Sequence, residues 1–258
     1  MVRRKHAPER AVGGAQAPLV RRHAETGEPR DLDHPRAALR VDDLRCPQDL
    51  GVAVPLEIAP RRQRELSTSA IDHVDALSEI APDIALLQEV ASDLPRARHH
   101  EQLDVLAAQL GMRHTAYSPQ HRFSRGGYGN AILSRWPLQG IENVDLTIGT
   151  RKKRGALQAR ARLRLGRHTR SLVVCCLHLG LAGTERGQQL DQFLSSRPFH
   201  GLHRLTPVVL GGDLNDLWGT LGPRHLEPAG FRRAGRLANT FPAWLPVRPL
   251  DGVFVRGD

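Results

Sequence analysis

Pro207-Val208-Val209-Leu210-Gly211-Gly212-Asp213-Leu214-Asn215-Asp216 is the stretch whose reading decides the fold. Val208, Val209 and Leu210 in succession show no alternation of apolar and polar positions, so they predict a short strand buried on both faces. The glycine pair lets the backbone turn sharply, because a residue without a Cβ tolerates positive φ. Asp213, Asn215 and Asp216 then fall at the strand's C-terminal end, where open α/β sheets place ligands. A hard cation such as Mg²⁺ takes oxygen donors of this kind and keeps several waters. The same residues also suit an Asx turn, in which the side chains only cap the backbone. The stretch alone leaves both readings open.

Working outward, other apolar runs carry a polar residue at one end. Asp83 to Val90 predicts a strand ending in Glu89. Gly126 to Asn130 reads as a loop feeding the strand Ala131-Ile132-Leu133-Ser134. Ser171 to Leu179 ends in His178, and Leu250 to Val255 carries Asp251 near its start. Each has an ordinary explanation: a satisfied core histidine, a strand-to-loop transition, a turn cap. Together, Glu89, His178, Asp213, Asn215 and Asp251 make a poor core and a good site.

Between these strands the periodicity predicts helices. One carries Ile71, Val74, Leu77 and Ile80, is capped from Ser67, Thr68 or Ser69 and is stopped by Pro82. A second runs from His99 to Leu110 with Gly111 as its stop, and a third from Gly187 to Ser195. Arg151-Lys152-Lys153-Arg154 precedes a strand in which Arg160, Arg162 and Arg164 alternate with Ala159, Ala161, Leu163 and Leu165, predicting a solvated arginine face.

The chain has 258 residues, 40% of them hydrophobic, and a net charge of +10, enough length for a sizeable core and a bias toward polyanionic partners. Its three cysteines, Cys175 and Cys176 adjacent among them, show no metal spacing and no disulfide framework, so they read as free, buried and reduced. No run reaches the roughly 18 apolar residues of a membrane span, and the N-terminus makes a poor signal peptide. The default location is cytoplasmic. Residues 1–37 read as a disordered basic segment, 38–66 as an uncertain region with a degenerate first strand at Leu39-Arg40-Val41, and 67–258 as the folded domain.

The motifs Pro82 to Val90, Tyr128 to Arg135, Arg154 to Leu157, His178 to Leu181, Gly212 to Asp216 and Leu250 to Val255 occur in order across residues 68 to 256. In that order they resemble the endonuclease/exonuclease/phosphatase family, in a bacterial form. The resemblance implies an α/β (α+β), deoxyribonuclease I-like four-layer sandwich of two mixed sheets flanked by helices. It implies a metal-dependent phosphodiesterase in which Glu89 binds Mg²⁺ or Mn²⁺. Asp213 and Asn215 would activate the attacking water or share in holding the metal, and His178 would steady the scissile phosphate. Arg154 and Asn130 would contact substrate, and Asp251 would orient a histidine. The phosphodiester would belong to a nucleic acid or a phospholipid headgroup.

Two departures accompany the resemblance. Arg45 falls near the position of the family's first-strand asparagine, and the sequence stops before a Ser-Asp-His motif. The expectation is therefore a truncated domain of little or no hydrolytic activity, with residues 1–66 translated from a wrong start or frame. The alternative is a non-catalytic, polyanion-binding remnant.

Overall fold

The computed structural model describes residues 19–22, 52–53, 74, 77–94, 101–165, 167–242 and 245–257. Five strands form the first sheet: β1 (Leu19–Arg22), β2 (Val52–Ala53), β3 (Ile84–Ser92), β4 (His114–Arg122) and β5 (Gly127–Ser134). Their order is β1-β4-β5-β3-β2, with β2 parallel to β3 and the other pairs antiparallel. The second sheet comprises β6 (Leu138–Asp145), β7 (Gly155–Leu165), β8 (His168–His178), β9 (Val208–Asp213), β10 (Arg232–Arg233) and β11 (Asp251–Arg256). It runs β10-β11-β9-β8-β7-β6, with β8 and β9 its parallel pair. Helices α1 (described over residues 77–80) and α2 (Gln102–Gln109) accompany the first sheet. Helices α3 (Gly183–Ser195) and α4 (Arg197–His200) and a π-helical turn at Gly222–Leu226 accompany the second.

Side-chain alternation along the strands builds four layers. Ile84 and Leu86 of β3 meet Leu157, Ala159, Ala161 and Leu163 of β7 and Leu172, Val174 and Cys176 of β8 between the two sheets. The intervening residues face outward. Ala85 and Leu87 pack with Leu77, Leu103 and Leu106 of α1 and α2, and Val173, Cys175 and Leu177 pack with Leu190, Phe193 and Phe199 of α3 and α4. Cys175 and Cys176 are free and buried on opposite faces of β8, and burial pushes the Cys176 thiol up to about 12. Both are therefore neutral packing residues.

Several expectations need correction. Residues 112–125 and 138–145 carried no predicted element, yet they form β4 and β6. Pro119 of β4 is accommodated at a register shift, and β6 is an edge strand with mostly exposed side chains, so neither shows an apolar run. Residues 127–130, expected as loop, are the buried first half of β5. A Cβ on Gly129 would collide with the Ser118 carbonyl, so this glycine serves close strand approach. Ile80 is 61% exposed and does not extend the apolar face of α1, because steps of three residues drift about 60° each against a 3.6-residue turn. Helix α2 begins at Gln102 and α3 at Gly183, against the expected His99 and Gly187. Arg162 and Arg164 are exposed, as the solvated reading of the arginine face expects.

Within the segment expected to be disordered, Leu19–Arg22 runs antiparallel to β4. The strand parallel to β3 is Val52–Ala53, while Leu39-Arg40-Val41, Arg45, most of the helix expected from Ser67 and the rest of 1–66 lie outside the described residues.

Candidate functional site

Four adjacent strands of the second sheet place one residue each in a single row. Gly155 pairs with His178, His178 with Asp213, and Asp213 with Asp251. Strand parity sets the direction of the three polar side chains. His178 follows Leu172, Val174 and Cys176, Asp213 follows Val209, and Asp251 precedes Val255, all residues that face the first sheet. His178, Asp213 and Asp251 therefore project toward the first sheet from the end of the second, where the apolar filling stops.

The Asx turn and the site reading of the Asp213 loop are both present. Asp213 Oδ1 accepts the Asn215 N–H at 2.8 Å, while Oδ2 stands 3.4 Å from His178 Nε2. Asn215, at φ 49°, donates its amide Nδ2 to Leu179 O at 2.9 Å, which ties the loop after β9 to the loop after β8. Asp216 accepts the Leu221 N–H at 2.8 Å and so caps the turn that follows. Asp251 is half-buried, and its backbone N–H donates to Thr240 Oγ1 at 3.2 Å.

Arg154 is a buried cation beside this row. Its Nη1 lies 3.4 Å from His178 Nδ1, and its Nε has no hydrogen-bond partner among the described residues. A guanidinium only donates, so Nδ1 is the acceptor and the proton of a neutral imidazole sits on Nε2, facing Asp213. Burial, and then Arg154, Lys152 and His121, hold the His178 imidazole well below its ordinary range. His178 is therefore neutral at pH 7.

Glu89 comes from the first sheet. Two residues of β3, Gln88 and Glu89, stand against Asn130 of β5, a bulge in which Glu89 takes φ 53°. Without that extra residue Glu89 would follow Leu87 to the helix side; the bulge re-aims it. A non-glycine residue in this region costs of order 1 kcal/mol and persists where the surroundings impose it. Glu89 Oε1 meets Lys152 Nζ at 3.5 Å, and Gln88 Nε2 reaches Cys176 Sγ at 3.2 Å across the sandwich. Asn130 is fully buried, and its Nδ2 donates to Gly155 O at 2.9 Å and Cys176 O at 3.2 Å. It joins the sheets behind the row, and its N–H groups are taken by backbone rather than offered to a substrate.

Sequence reasoning missed three neighbours. His121, on the unread β4, packs at a tilt against Tyr128 with ring centroids 4.7 Å apart. Lys152 lies over the same ring at 5.6 Å as well as pairing with Glu89. Glu185 is buried under Gly180 and accepts from Arg151 at 3.2 Å, linking the basic loop to α3. Only the run of basic residues at 151–154 signalled any of these.

The acidic donors are carboxylates from different strands. Among the described residues no three His, Cys, Asp or Glu side chains stand together as a metal cage. This arrangement fits Mg²⁺ or Mn²⁺, which binds through one or two carboxylates and completes its shell with water and phosphate oxygens. Glu89, about half exposed, and Asp213 are the carboxylates that could supply such donors.

The model of the Endonuclease/Exonuclease/phosphatase family matches residues 67–258. YbhP of Escherichia coli K12 is 32% identical over 198 residues, which cover 70% of this chain and 75% of that protein. An endonuclease/exonuclease/phosphatase structure from Beutenbergia cavernae superposes with a TM-score of 0.64 at 21% identity, over 80% of this chain. The chain spans 64% of that protein's length. The mannosyl-6-phosphatase Bt3783 of Bacteroides thetaiotaomicron superposes with a TM-score of 0.59 at 15% identity, covering 80% of this chain and 84% of the other.

Proposed function

The chain belongs to the Endonuclease/Exonuclease/phosphatase family, and we propose that it is a metal-dependent phosphodiesterase-type hydrolase in which water attacks a phosphodiester at the His178–Asp213–Asp251 row. The substrate is a phosphodiester of a nucleic acid or of a phospholipid headgroup. The reading is carried by His178 and Asp213, 3.4 Å apart on neighbouring strands, and by the buried Arg154 beside them, whose charge interacts with both Asp213 and Glu89.

Each residue has a task that its surroundings support. Asp213 is pinned through Oδ1 by the Asn215 N–H, leaving Oδ2 to take a proton from the attacking water. Asn215 positions that carboxylate through its turn. His178, neutral with its proton on Nε2, donates toward the charge that develops on the phosphoryl oxygens. Arg154 fixes the imidazole tautomer and adds a buried positive charge beside it. Asp251 adds negative charge next to Asp213 in the row. Glu89 would hold Mg²⁺ or Mn²⁺, which when bound neutralises charge on the nonbridging oxygens.

The test is hydrolysis of bis(p-nitrophenyl) phosphate with Mg²⁺ or EDTA. Weak turnover that needs Mg²⁺ and disappears in Glu89→Ala and Asp213→Asn is the expected result. Turnover unchanged in both variants defeats the reading. A second reading, a polyanion-binding protein without turnover, is favoured by one contact: Lys152 Nζ lies 3.5 Å from the Glu89 carboxylate. Steep salt-dependent binding of DNA with no Mg²⁺-dependent hydrolysis would support it. The free, buried cysteines support a cytoplasmic location, and among the described residues no helix is long and apolar enough to cross a membrane.

A further inference from the structure

Two loops leave the same end of the second sheet: the basic loop that leads into β7 at Gly155, and the loop that follows β8 after His178. The first carries Arg154 and the second begins at Leu179, so the 3.4 Å contact between Arg154 Nη1 and His178 Nδ1 depends on how the two loops lie together. Helix α3 holds both. Glu185, in its first turn, is 5% exposed and accepts from Arg151 Nη1 through Oε2 at 3.2 Å. Its Oε1 accepts from Gln189 Nε2 at 3.3 Å, and Gln189 Oε1 in turn accepts the Gly180 N–H at 2.7 Å. Beside them Arg186 Nη1 donates to Leu181 O at 2.6 Å. An unbroken chain of polar contacts therefore runs from Arg151 through Glu185 and Gln189 to Gly180.

Burial makes this chain of contacts more than a surface pairing. Gln189 is fully buried, and the Glu185 carboxylate fills the place of a side chain at Gly180, where a Cβ would collide with it. A carboxylate held out of water needs its partners, and removing one leaves the other unsatisfied. Arg151 is about half exposed, so the pair matters through its buried member. Burial lowers the Arg154 guanidinium from its ordinary range, and Glu89, Asp213, Tyr128 and Glu185 oppose that. Of the three carboxylates among them, Glu89 and Asp213 belong to the site already described. Glu185 instead meets the two loops.

We infer that Glu185 is a positioning residue: by clasping the basic loop through Arg151 and the loop after β8 through Gln189, it holds Arg154 against His178 and so builds the anion site at the row. The inference rests on the phosphodiester reading only for the reaction this site would serve. Charge and position predict opposite outcomes. A carboxylate near a site for anions repels them, so by charge alone its loss tightens their binding. A clasp predicts that its loss weakens binding, because Arg154 drifts from the row.

Isothermal titration of the full chain with inorganic phosphate, in EDTA so that neither metal nor turnover is read, tests it. Glu185→Gln, which keeps the size of the side chain, should bind phosphate several-fold more weakly than the parent. Glu185→Ala should bind it about tenfold more weakly, the scale of loss that a displacement of ~1 Å can reach. Gly180→Ala, which displaces the carboxylate without removing it, provides the same reading should the alanine variant fail to fold. Amide hydrogen exchange tests the connection between the loops: Arg151→Ala, at the half-exposed end of the chain of contacts, should speed exchange at the Gly180 N–H on the other loop. Phosphate binding that tightens or stays unchanged in the Glu185 variants overturns the proposal, as does a parent that binds no phosphate. Exchange at Gly180 indifferent to Arg151→Ala overturns it too, since the two loops would then be independent. These results without Mg²⁺-dependent turnover in the reporter assay would leave the clasp standing and defeat only the hydrolase reading.

Discussion

His178 and Asp213 face each other across the parallel pair β8 and β9, with Nε2 3.4 Å from Oδ2. The imidazole is buried and has Arg154 on its other side, so it is a neutral donor rather than a cation. The attraction of Asp213 alone would favour protonation. Burial and the three basic neighbours outweigh it.

That balance predicts a pH dependence of stability. The folded-state pKa of His178 lies below the ordinary 6.5, so below that pH the unfolded chain binds a proton that the folded chain refuses. The histidine's contribution is then lost as pH falls from about 6.5 toward the folded pKa, and stability is flat above about 6.5. Urea melts between pH 5 and 8 should show this slope, and His178→Gln should remove part of it. A slope unchanged in the variant would assign the titration elsewhere.

Asp213→Asn removes the proton acceptor and keeps the shape of the turn. Turnover of bis(p-nitrophenyl) phosphate should fall by about 10²- to 10⁴-fold, with a much smaller change in KM. An equal rise in KM at constant kcat would mean that Asp213 binds substrate instead.

Lys152 competes with any cation that approaches Glu89. Both side chains are about half exposed, and such surface pairs contribute about 0–1 kcal/mol, so Lys152→Ala should barely shift thermal stability. It should tighten Mg²⁺ binding several-fold, measured by isothermal titration. Weaker Mg²⁺ binding in the variant would contradict the competition.

Gly129 and Gly149 separate close approach from backbone conformation. A Cβ at Gly129 meets the Ser118 carbonyl, a backbone atom that cannot rotate away, so Gly129→Ala should destabilise by about 3 kcal/mol or prevent folding. Gly149, at φ 56° with nothing within 4 Å of a built Cβ, should lose only about 1 kcal/mol as alanine. Chemical denaturation of the two variants compares them directly.

Strands β3, β8, β9 and β11 were legible because a strand buried on its apolar faces leaves a run of Val, Ile, Leu and Cys bounded by polar residues. β4 and β6 were not. One is interrupted by Pro119 and stands on pairing with its neighbours, and the other keeps most side chains in water. Losing β4 also lost His121, whose place beside Tyr128 follows from the register of the β4–β5 hairpin.

By itself the chain's order of residues determined which positions carry apolar runs and which polar groups end them, because burial acts on each strand's own alternation. It also determined the family, through short motifs in a set order. Only the tertiary structure decided that Glu89 turns off its strand at a bulge, that His178 is neutral, that Asn130 is spent on backbone carbonyls, and that Lys152 meets Glu89. These depend on register between strands and on desolvation by distant segments, and neither is written in any local stretch of sequence.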